Sequence, residues 1–426
     1  MENILIVGGG IFGVSTAYHL ARRMADPSRI TLLDRAPPPS QTAASTDINK
    51  IIRADYSSAL YMQLGLEAIE AWKTLPVFQD AGVYHQSGWI AMDEKTSDVP
   101  ERIRKNFRAC GLDESIVDLT EEDVRTRWGG LLSETDCRPF GSYYFNRSAG
   151  WADAGDALGI LAKEAVKLGI NYEVGEASRV VWGDGRVQGM ETVEGRLYTA
   201  DKVLLTTGAW TSQLMSSLED ELNLSEAGRV ERQVSAAGVC VAHFNLSDGE
   251  KEAYFRLPVL VYGGQGEIIP PNAAGVLKFT FSTSFKNTIR TPSGHAISIP
   301  ADHDQFLAPR GLQEDCISKI RPRLPHILEN DRKPDYYRIC WDSISPSQHP
   351  LITRHPDTRL ANLYLAVGGS FHCYKLLPTI GKYVTNMLLG VSNGQEKDKA
   401  WAWKDAHGDQ GVHESLVPTQ EWVDFI

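Results

Sequence analysis

The first residues whose types and spacing indicate chemistry are three glycines near the start of the chain. Gly8, Gly10 and Gly13 form the pattern G-x-G-x-x-G directly after the apolar run ILIV at 4–7. Between a strand and a helix, the first glycine makes the tight turn, the second lets a pyrophosphate approach and the third allows close packing. The helix start then offers N–H groups to phosphate. We therefore predict a dinucleotide site that also includes Ile11 and Phe12.

An acidic residue ends the next apolar run, ITLLD at 30–34. Asp34 lies 21 residues after Gly13, where a carboxylate can accept hydrogen bonds from a ribose. This suits FAD and NAD alike. A later run, VLLTTGAWT at 203–211, ends in a turn that contains Gly208 and favours FAD, although an ordinary strand-to-turn junction is the alternative. We also place Arg35 at the cofactor.

Two cysteines in the last quarter of the chain are candidates for reaction. Cys340 lies in RICWDS and Cys373 in SFHCYKL. Composition alone favours two buried thiols, because free cysteine is among the most buried residue types. The six cysteines show no C-x-x-C spacing. We therefore expect neither a zinc site nor a disulfide framework, and no metal.

These residues need a scaffold larger than one core. The chain has 426 residues, beyond the roughly 250–300 at which single cores stop growing. The segment from ILIV to ITLLD reads as a βαβ unit, whereas apolar runs alternate with turns at 80–145 and 225–335 and suit an antiparallel sheet. We predict an α/β fold with a mixed sheet. Its parts are a discontinuous Rossmann-like FAD-binding domain at 1–80, 146–224 and 336–394, a substrate domain at 81–145 and 225–335, and a C-terminal surface tail at 395–426.

Composition excludes some partners. The net charge of -11 argues against nucleic acid, since phosphate binding needs clustered Lys and Arg. No apolar run reaches the roughly 18 residues that cross a bilayer, and the N-terminus lacks a secretory pattern. The chain ends in WVDFI, which is not an SKL-type peroxisomal address. We expect a cytoplasmic protein without a membrane segment.

Taken in order, several segments resemble one family: the flavin-dependent amine oxidases that include monomeric sarcosine oxidase, fructosyl amino acid oxidases (amadoriases) and pipecolate or saccharopine oxidases. The resemblance covers nearly the whole chain, to about Trp403, and is carried by GGGIFGVSTAYHL, TDINKIIRADY, LLTTGAW, GVLKF, RICWDS and GGSFHCYKLLPTIGK. It implies a glutathione-reductase-like fold of the D-amino acid oxidase type, and often a monomer. It also implies hydride transfer from a secondary amine to FAD, imine hydrolysis and reduction of O2 to hydrogen peroxide. A deglycating fructosyl amino acid oxidase, or a flavin amine dehydrogenase with another acceptor, stays open.

The resemblance also assigns the reactive cysteine. In the family, the cysteine of the segment similar to RICWDS carries FAD through a thioether to the flavin 8α position, which corresponds to Cys340. Such attachment needs a thiolate near a positive group, and Arg338 is close in sequence. The family gives Cys373 no covalent role.

Further roles follow from the same resemblance. Arg53 and Lys375 match the two cations that bind the substrate carboxylate, although structural ion pairs would be the plainer interpretation. Lys278 matches the lysine near flavin N5 that speeds oxygen reduction, and a solvent-facing strand lysine is its alternative. The loop over the flavin supplies the remaining expected contacts, together with the GGSFH segment: Ser45, Thr46, Asn49, Lys50, Phe371 and His372.

Two positions depart from the deglycating relatives. Fructosyl amino acid oxidases carry an acidic pair shortly after the strand lysine, where this chain has Phe281 and Ser282. A sugar-bearing substrate needs hydrogen-bond partners there, so the change argues against deglycation. In addition, Phe371 replaces a glycine beside the flavin and should reshape the pocket.

Overall fold

The computed structural model describes residues 2–280, 283–405, 412 and 418–426. Within this part of the chain, the α-helices are, in chain order, α1 (Ile11–Ala21), α2 (Ala59–Thr74), α3 (Pro76–Gln79), α4 (Val99–Ala109), α5 (Glu121–Thr126), α6 (Ala154–Lys167), α7 (Thr211–Glu221), α8 (Asp248–Phe255), α9 (Arg310–Arg323), α10 (Ile380–Leu388) and α11 (Gln395–Trp401).

The strands of the same described residues are, in chain order, β1 (Ile4–Val7), β2 (Ile30–Asp34), β3 (Lys50–Ile52), β4 (Tyr84–His85), β5 (Trp89–Glu94), β6 (Ile116–Asp118), β7 (Phe140–Asn146), β8 (Gly150–Ala152), β9 (Asn171–Val174), β10 (Ala177–Gly183), β11 (Arg186–Thr192), β12 (Leu197–Thr199), β13 (Lys202–Leu205), β14 (Ser235–Asn245), β15 (Val259–Val261), β16 (Glu267–Ile269), β17 (Val276–Thr280), β18 (Phe285–Lys286), β19 (Thr288–Arg290), β20 (Ala296–Ser298), β21 (Tyr336–Ile344), β22 (Leu351–Arg354), β23 (Leu363–Val367) and β24 (Gln420–Glu421).

The first sheet has the strand order β22-β23-β13-β1-β2-β9 and is parallel except at its β22 edge. Its central strand β1 is buried at every residue, which explains the uninterrupted apolar run ILIV. Helices α10 and α6 both pack against α1. The glycine turn between β1 and α1 therefore lies at the carboxyl end of a strand in the middle of the sheet, where ligands of open α/β sheets bind.

A second, mixed sheet has the order β24-β18-β14-β17-β16-β15-β5-β7-β6, and β21 also pairs with β14. Its apolar faces form a separate core that includes Phe244, Phe279 and Trp341. The predicted combination of an α/β unit with a second, mixed sheet is thus confirmed. The division into domains by residue number stays a prediction.

Two segments pair or pack in ways that the composition did not suggest. Strand β21, which carries Cys340 and falls in the predicted FAD-binding domain, hydrogen-bonds along its whole length to β14 of the second sheet. The predicted surface tail at 395–426 is only partly superficial. Trp401 is buried against Tyr383, and Trp422 is buried against Phe285. Tryptophan side chains bury large areas, so Trp401 and Trp422 hold this polar segment against the rest of the protein.

The crossing of α1 and α10 depends on a glycine. A Cβ on Gly381 would lie 2.0 Å from the backbone oxygen of Ser15, and the Gly381 N–H donates to Ser15 Oγ at 2.9 Å. We expect Gly381→Ala to push the helices apart and lower the free energy of unfolding by about 1–3 kcal/mol, measured by urea denaturation. Gly249→Ala in α8 is the control, because nothing lies within 4 Å of its Cβ. Equal stability of the two variants would contradict the packing argument.

Candidate active site

One cavity of about 1480 Å³ extends from the glycine turn to the cations of the half-buried Arg53 and the buried Lys375. Ligand pockets for small molecules usually measure about 300–1,000 Å³, so this space suits a large cofactor together with a substrate. Of the predicted site residues, the following line it: Gly8, Gly10, Ile11, Phe12, Asp34, Arg35, Ser45, Lys50, Arg53, Gly208, Cys340, Phe371, His372 and Lys375. Gly13, Thr46, Asn49 and Lys278 do not line it and support those that do.

The glycine turn has the geometry that a pyrophosphate site requires. Gly8 has φ +109°, and a Cβ there would lie 2.5 Å from the Thr206 backbone oxygen. A Cβ on Gly13 would lie 1.8 Å from the Gly8 backbone oxygen. Any side chain would therefore displace the turn. Asp34 accepts a short hydrogen bond from the Gly9 N–H, which fixes its carboxylate beside the turn. Arg35 stacks over Trp210 at 4.5 Å at the same end of the cavity.

The two cysteines occupy different environments. Cys340 is buried but lines the cavity, among Val239, Val241, Ala44 and Phe371. Cys373 is buried and is not among the cavity-lining residues, and burial raises the pKa of its thiol to about 12. Of these two thiols, only Cys340 is therefore placed to meet a cofactor in the cavity.

A buried carboxylate organises the cations beside Cys340. Asp47 Oδ2 lies 2.9 Å from Lys278 Nζ and 3.2 Å from Lys50 Nζ. Lys278 also donates to the Asn49 backbone oxygen at 2.6 Å. Burial opposes ionisation of Asp47, but the charges of Lys278 and Lys50 outweigh it and hold the carboxyl pKa well below its usual range. Lys278 is thus fully buried behind the loop, and the ammonium that faces the cavity is that of Lys50.

Lys50 also lies within electrostatic range of Cys340. Burial lowers the pKa of Lys50, but the charges of a Cys340 thiolate and of Asp47 more than compensate, so the pKa is raised. Arg338, the group that sequence proximity suggested, is two residues from Cys340 on the same strand and donates to the backbone oxygens of Gln41 and Ala43. The loop therefore supplies a second positive charge beside the thiol, in addition to Arg338.

The other end of the cavity holds two cations, Arg53 and Lys375, that form no ion pair with a carboxylate among the described residues. Arg53 stacks over Tyr56 and Trp89, with its Cζ 4.5 and 4.7 Å from the ring centroids. Lys375 Nζ donates to Tyr56 Oη at 2.8 Å and to the His372 backbone oxygen. Burial, together with the charge of Arg53, lowers the pKa of Lys375 to about 7. This end of the cavity therefore suits a carboxylate.

His372 is a neutral neighbour of these cations. Burial and the charge of Lys375 lower the pKa of His372 to about 3. Its Nε2 lies 2.8 Å from the Gln348 backbone oxygen, and its Nδ1 lies 3.2 Å from Tyr56 Oη. Since both ring nitrogens have partners, His372 positions Tyr56 and, through Tyr56, Lys375.

Phe371 occupies its predicted place with an unusual backbone. Its φ is +59° and that of Ser370 is +47°, both in the left-handed region that glycine adopts without penalty. The Phe371 N–H donates to Asp342 Oδ2 at 2.8 Å, and this bond helps to hold the strained turn against the cavity. The other departure, at Phe281 and Ser282, lies outside the described residues.

Sequence reasoning missed two groups that complete the site. Asp47 lies in TDINKIIRADY, three residues before Lys50, and is the acid nearest to that lysine in the loop. Tyr56 ends the same segment and bridges Lys375 and His372. The charge pattern of the loop could have indicated Asp47. Tyr56 offered no signal beyond its aromatic type, because its partners lie more than 300 residues away.

Comparison with known proteins places this chain in a family. Residues 3–387 match the family of FAD-dependent oxidoreductases called DAO, and the chain belongs to it. It is 29% identical over 427 residues to L-saccharopine oxidase of Schizosaccharomyces pombe, covering 95% of this chain and 93% of that protein. It is 26% identical to amino acid oxidase fsqB of Aspergillus fumigatus, covering 91% and 92%. The solved fructosyl peptide oxidase of E. terrenum superposes with a TM-score of 0.82 at 28% identity, over 100% of this chain and 97% of that one. The predicted family is confirmed.

The residues present fit FAD. The turn at Gly8 and Gly13 leaves room that a Cβ would fill, and an eleven-residue helix begins directly after it at Ile11. The cavity continues from there past Cys340 and Lys50 to Arg53. A dinucleotide bound at the turn would therefore have its other end beside a thiol and a cation.

In the described residues, no helix is long and apolar enough to cross a membrane.

The pKa of Lys375 gives a testable pH dependence. A simple carboxylate such as propionate should bind tightly only while Lys375 is charged, so its Kd should rise about tenfold per pH unit above pH 7. Calorimetric titration from pH 6 to 9 measures this. Lys375→Arg should bind with little pH dependence, because a guanidinium stays charged over that range. The same slope in Lys375→Met as in the unaltered protein would exclude Lys375 as its source.

Proposed function

We propose that this protein is an FAD-dependent oxidase of a secondary amine that carries a carboxylate, such as an N-substituted amino acid. The observation that supports it most strongly is the pair of cations Arg53 and Lys375, which line the same cavity as a glycine turn that fits FAD and form no ion pair with a carboxylate among the described residues. The named activities of the similar proteins, oxidation of saccharopine and of amino acids, agree with it.

The carboxylate would bind between Arg53 and Lys375. Its charge would raise the pKa of Lys375 from about 7, so substrate binding draws a proton onto this lysine or keeps it there. Tyr56 and His372 keep the ammonium oriented through hydrogen bonds. An anchored carboxylate fixes the position of the adjacent carbon–nitrogen bond, and this orientation is the main contribution that the chain makes to rate.

The amine has to be neutral when its carbon gives up a hydride. The positive charges of Arg53 and Lys375 favour the neutral amine over its ammonium form, because like charges repel in a buried site. FAD, when bound, supplies the electron acceptor and returns the electrons to oxygen. No described residue needs to act as a base if the neutral amine is the form that binds.

We propose further that FAD is attached through Cys340. Its thiol lines the cavity within electrostatic range of the ammonium of Lys50, and attachment requires a thiolate near a positive group. Val239, Val241 and Phe371 pack around Cys340. A monomeric state and a cytoplasmic location stay predictions.

Flavin attachment can be tested on denatured protein. Cys340→Ala is expected to release all flavin on acid denaturation, whereas Cys373→Ala should keep flavin fluorescence on the protein band in a gel. The two substitutions remove the same atoms from two buried thiols, so Cys373→Ala controls for loss of packing. Attachment that persists in Cys340→Ala and is lost in Cys373→Ala would refute the assignment.

The oxidase reaction itself is tested in two half-reactions. Without oxygen, a panel of N-substituted amino acids should bleach the flavin absorbance, and air should restore it with release of hydrogen peroxide. Lys278→Met should leave the bleaching rate nearly unchanged and slow reoxidation by roughly 10²-fold, since it removes a buried positive charge from beside the cavity.

Lys163→Met, which removes an exposed lysine from α6, is the control for loss of charge. Reoxidation that is equally fast in Lys278→Met would favour a dehydrogenase that uses another acceptor. Absence of bleaching by every amine would overturn the proposed function.

A further inference from the structure

Glu267 is a carboxylate in the cavity that the proposed mechanism does not use. It begins strand β16 and lines the cavity in a half-buried position. Its side chain has no hydrogen-bond or ion-pair partner among the residues that the structure describes. A carboxylate that lines a cavity without a close partner can pair with a positively charged group of a ligand.

The strand register places Glu267 on the floor of the cavity. Its cross-strand neighbours are Thr280 on one side and Val261 on the other, and both line the cavity. The row continues through Ala91 to Tyr144, which line it as well. Directly opposite partners in a sheet share one face, so the carboxylate points the same way as this row.

Other carboxylates that line the cavity without being exposed have neighbours that offset them. Asp34 and Asp342 accept backbone N–H bonds, and Asp55 accepts from Trp89 and Asn146. Asp93 is opposed by the charge of Arg53, and burial raises its pKa to about 6. Glu267 has no hydrogen-bond or ion-pair partner among the described residues, and the charges of Lys278 and Lys375 oppose it from beyond ion-pair distance.

Glu267 also acts on both functional lysines. Burial is the main cause that lowers the pKa of Lys278 and of Lys375, and the charge of Glu267 is among those that oppose it. The carboxylate thus lies within electrostatic range of the proposed carboxylate site and of the strand lysine. A substrate held at Lys375 has Glu267 within its surroundings.

We propose that Glu267 binds a second, permanently protonated amino group of the substrate, so that the natural substrate is an N-substituted amino acid with an additional ammonium. This rests on the proposed function of the cavity. The reacting nitrogen must be neutral, and a carboxylate beside it would stabilise the wrong, protonated form. An ammonium elsewhere on the substrate can stay protonated while the reacting nitrogen is neutral. It gains a charge-assisted hydrogen bond from a partly desolvated partner.

Binding of unreactive ligands tests this without turnover. Calorimetry on the flavin-loaded protein compares a series of ω-amino acids with fatty acids of the same chain length, which differ only by the ammonium. For at least one length, the amino acid should bind at least about tenfold more tightly than its fatty acid. Glu267→Gln should abolish this preference, and any change in fatty-acid binding through the pKa of Lys375 should be smaller than the loss of amino-acid binding. Glu94→Gln, which removes an exposed carboxylate at the same cavity, should retain it.

The inference is overturned if no chain length shows the preference, or if Glu267→Gln retains it. Equal loss of affinity for both ligand series in Glu267→Gln would also overturn it, since this would indicate a structural role for the carboxylate. These outcomes are separate from the proposed function, which fails only if no secondary amine bleaches the flavin.

Discussion

The site depends on one buried carboxylate, that of Asp47, which forms ion pairs with Lys278 and Lys50. Asp47 joins the loop that follows the glycine domain to Lys278, on strand β17 of the second sheet. Burying three charges is costly, and removing one partner of such a group leaves another charge unsolvated. The loop is therefore fixed in the one position that satisfies the group. Asn49 strengthens this connection, since its side chain donates to the Pro270 backbone oxygen. The loop is thereby held against the second sheet beside the cavity.

The arrangement also divides the cavity by charge. At the turn end, backbone N–H groups and a helix start suit phosphates, and Asp34 suits a ribose. At the far end, Arg53 and Lys375 suit a carboxylate, with aromatic faces on both sides of the guanidinium. Both ends prefer anions, whereas the floor between them presents the carboxylate of Glu267.

Local signals predicted the parts of this molecule that depend on short stretches. The glycine spacing and Asp34 indicated the nucleotide end, because turn, helix start and strand end lie within one βαβ unit. Resemblance to a family assigned Cys340, Arg53 and Lys375, which composition alone could not separate from structural residues. Asp47 and Glu267 were not found, since their importance arises from strands that meet only in the folded chain. The pairing of β21 with β14 was missed for the same reason.

The pairing of the late strands determines when the two sheets can form during synthesis of the chain. Strand β24 hydrogen-bonds to β18, β18 to β14, and β14 to the strand that carries Cys340. The parallel sheet likewise needs β23, more than 350 residues after β1. Neither sheet can close until its late strands have been synthesised, because pairing over such separations awaits them. The wall of the cavity that carries Cys340 therefore forms only after β21 has paired with β14.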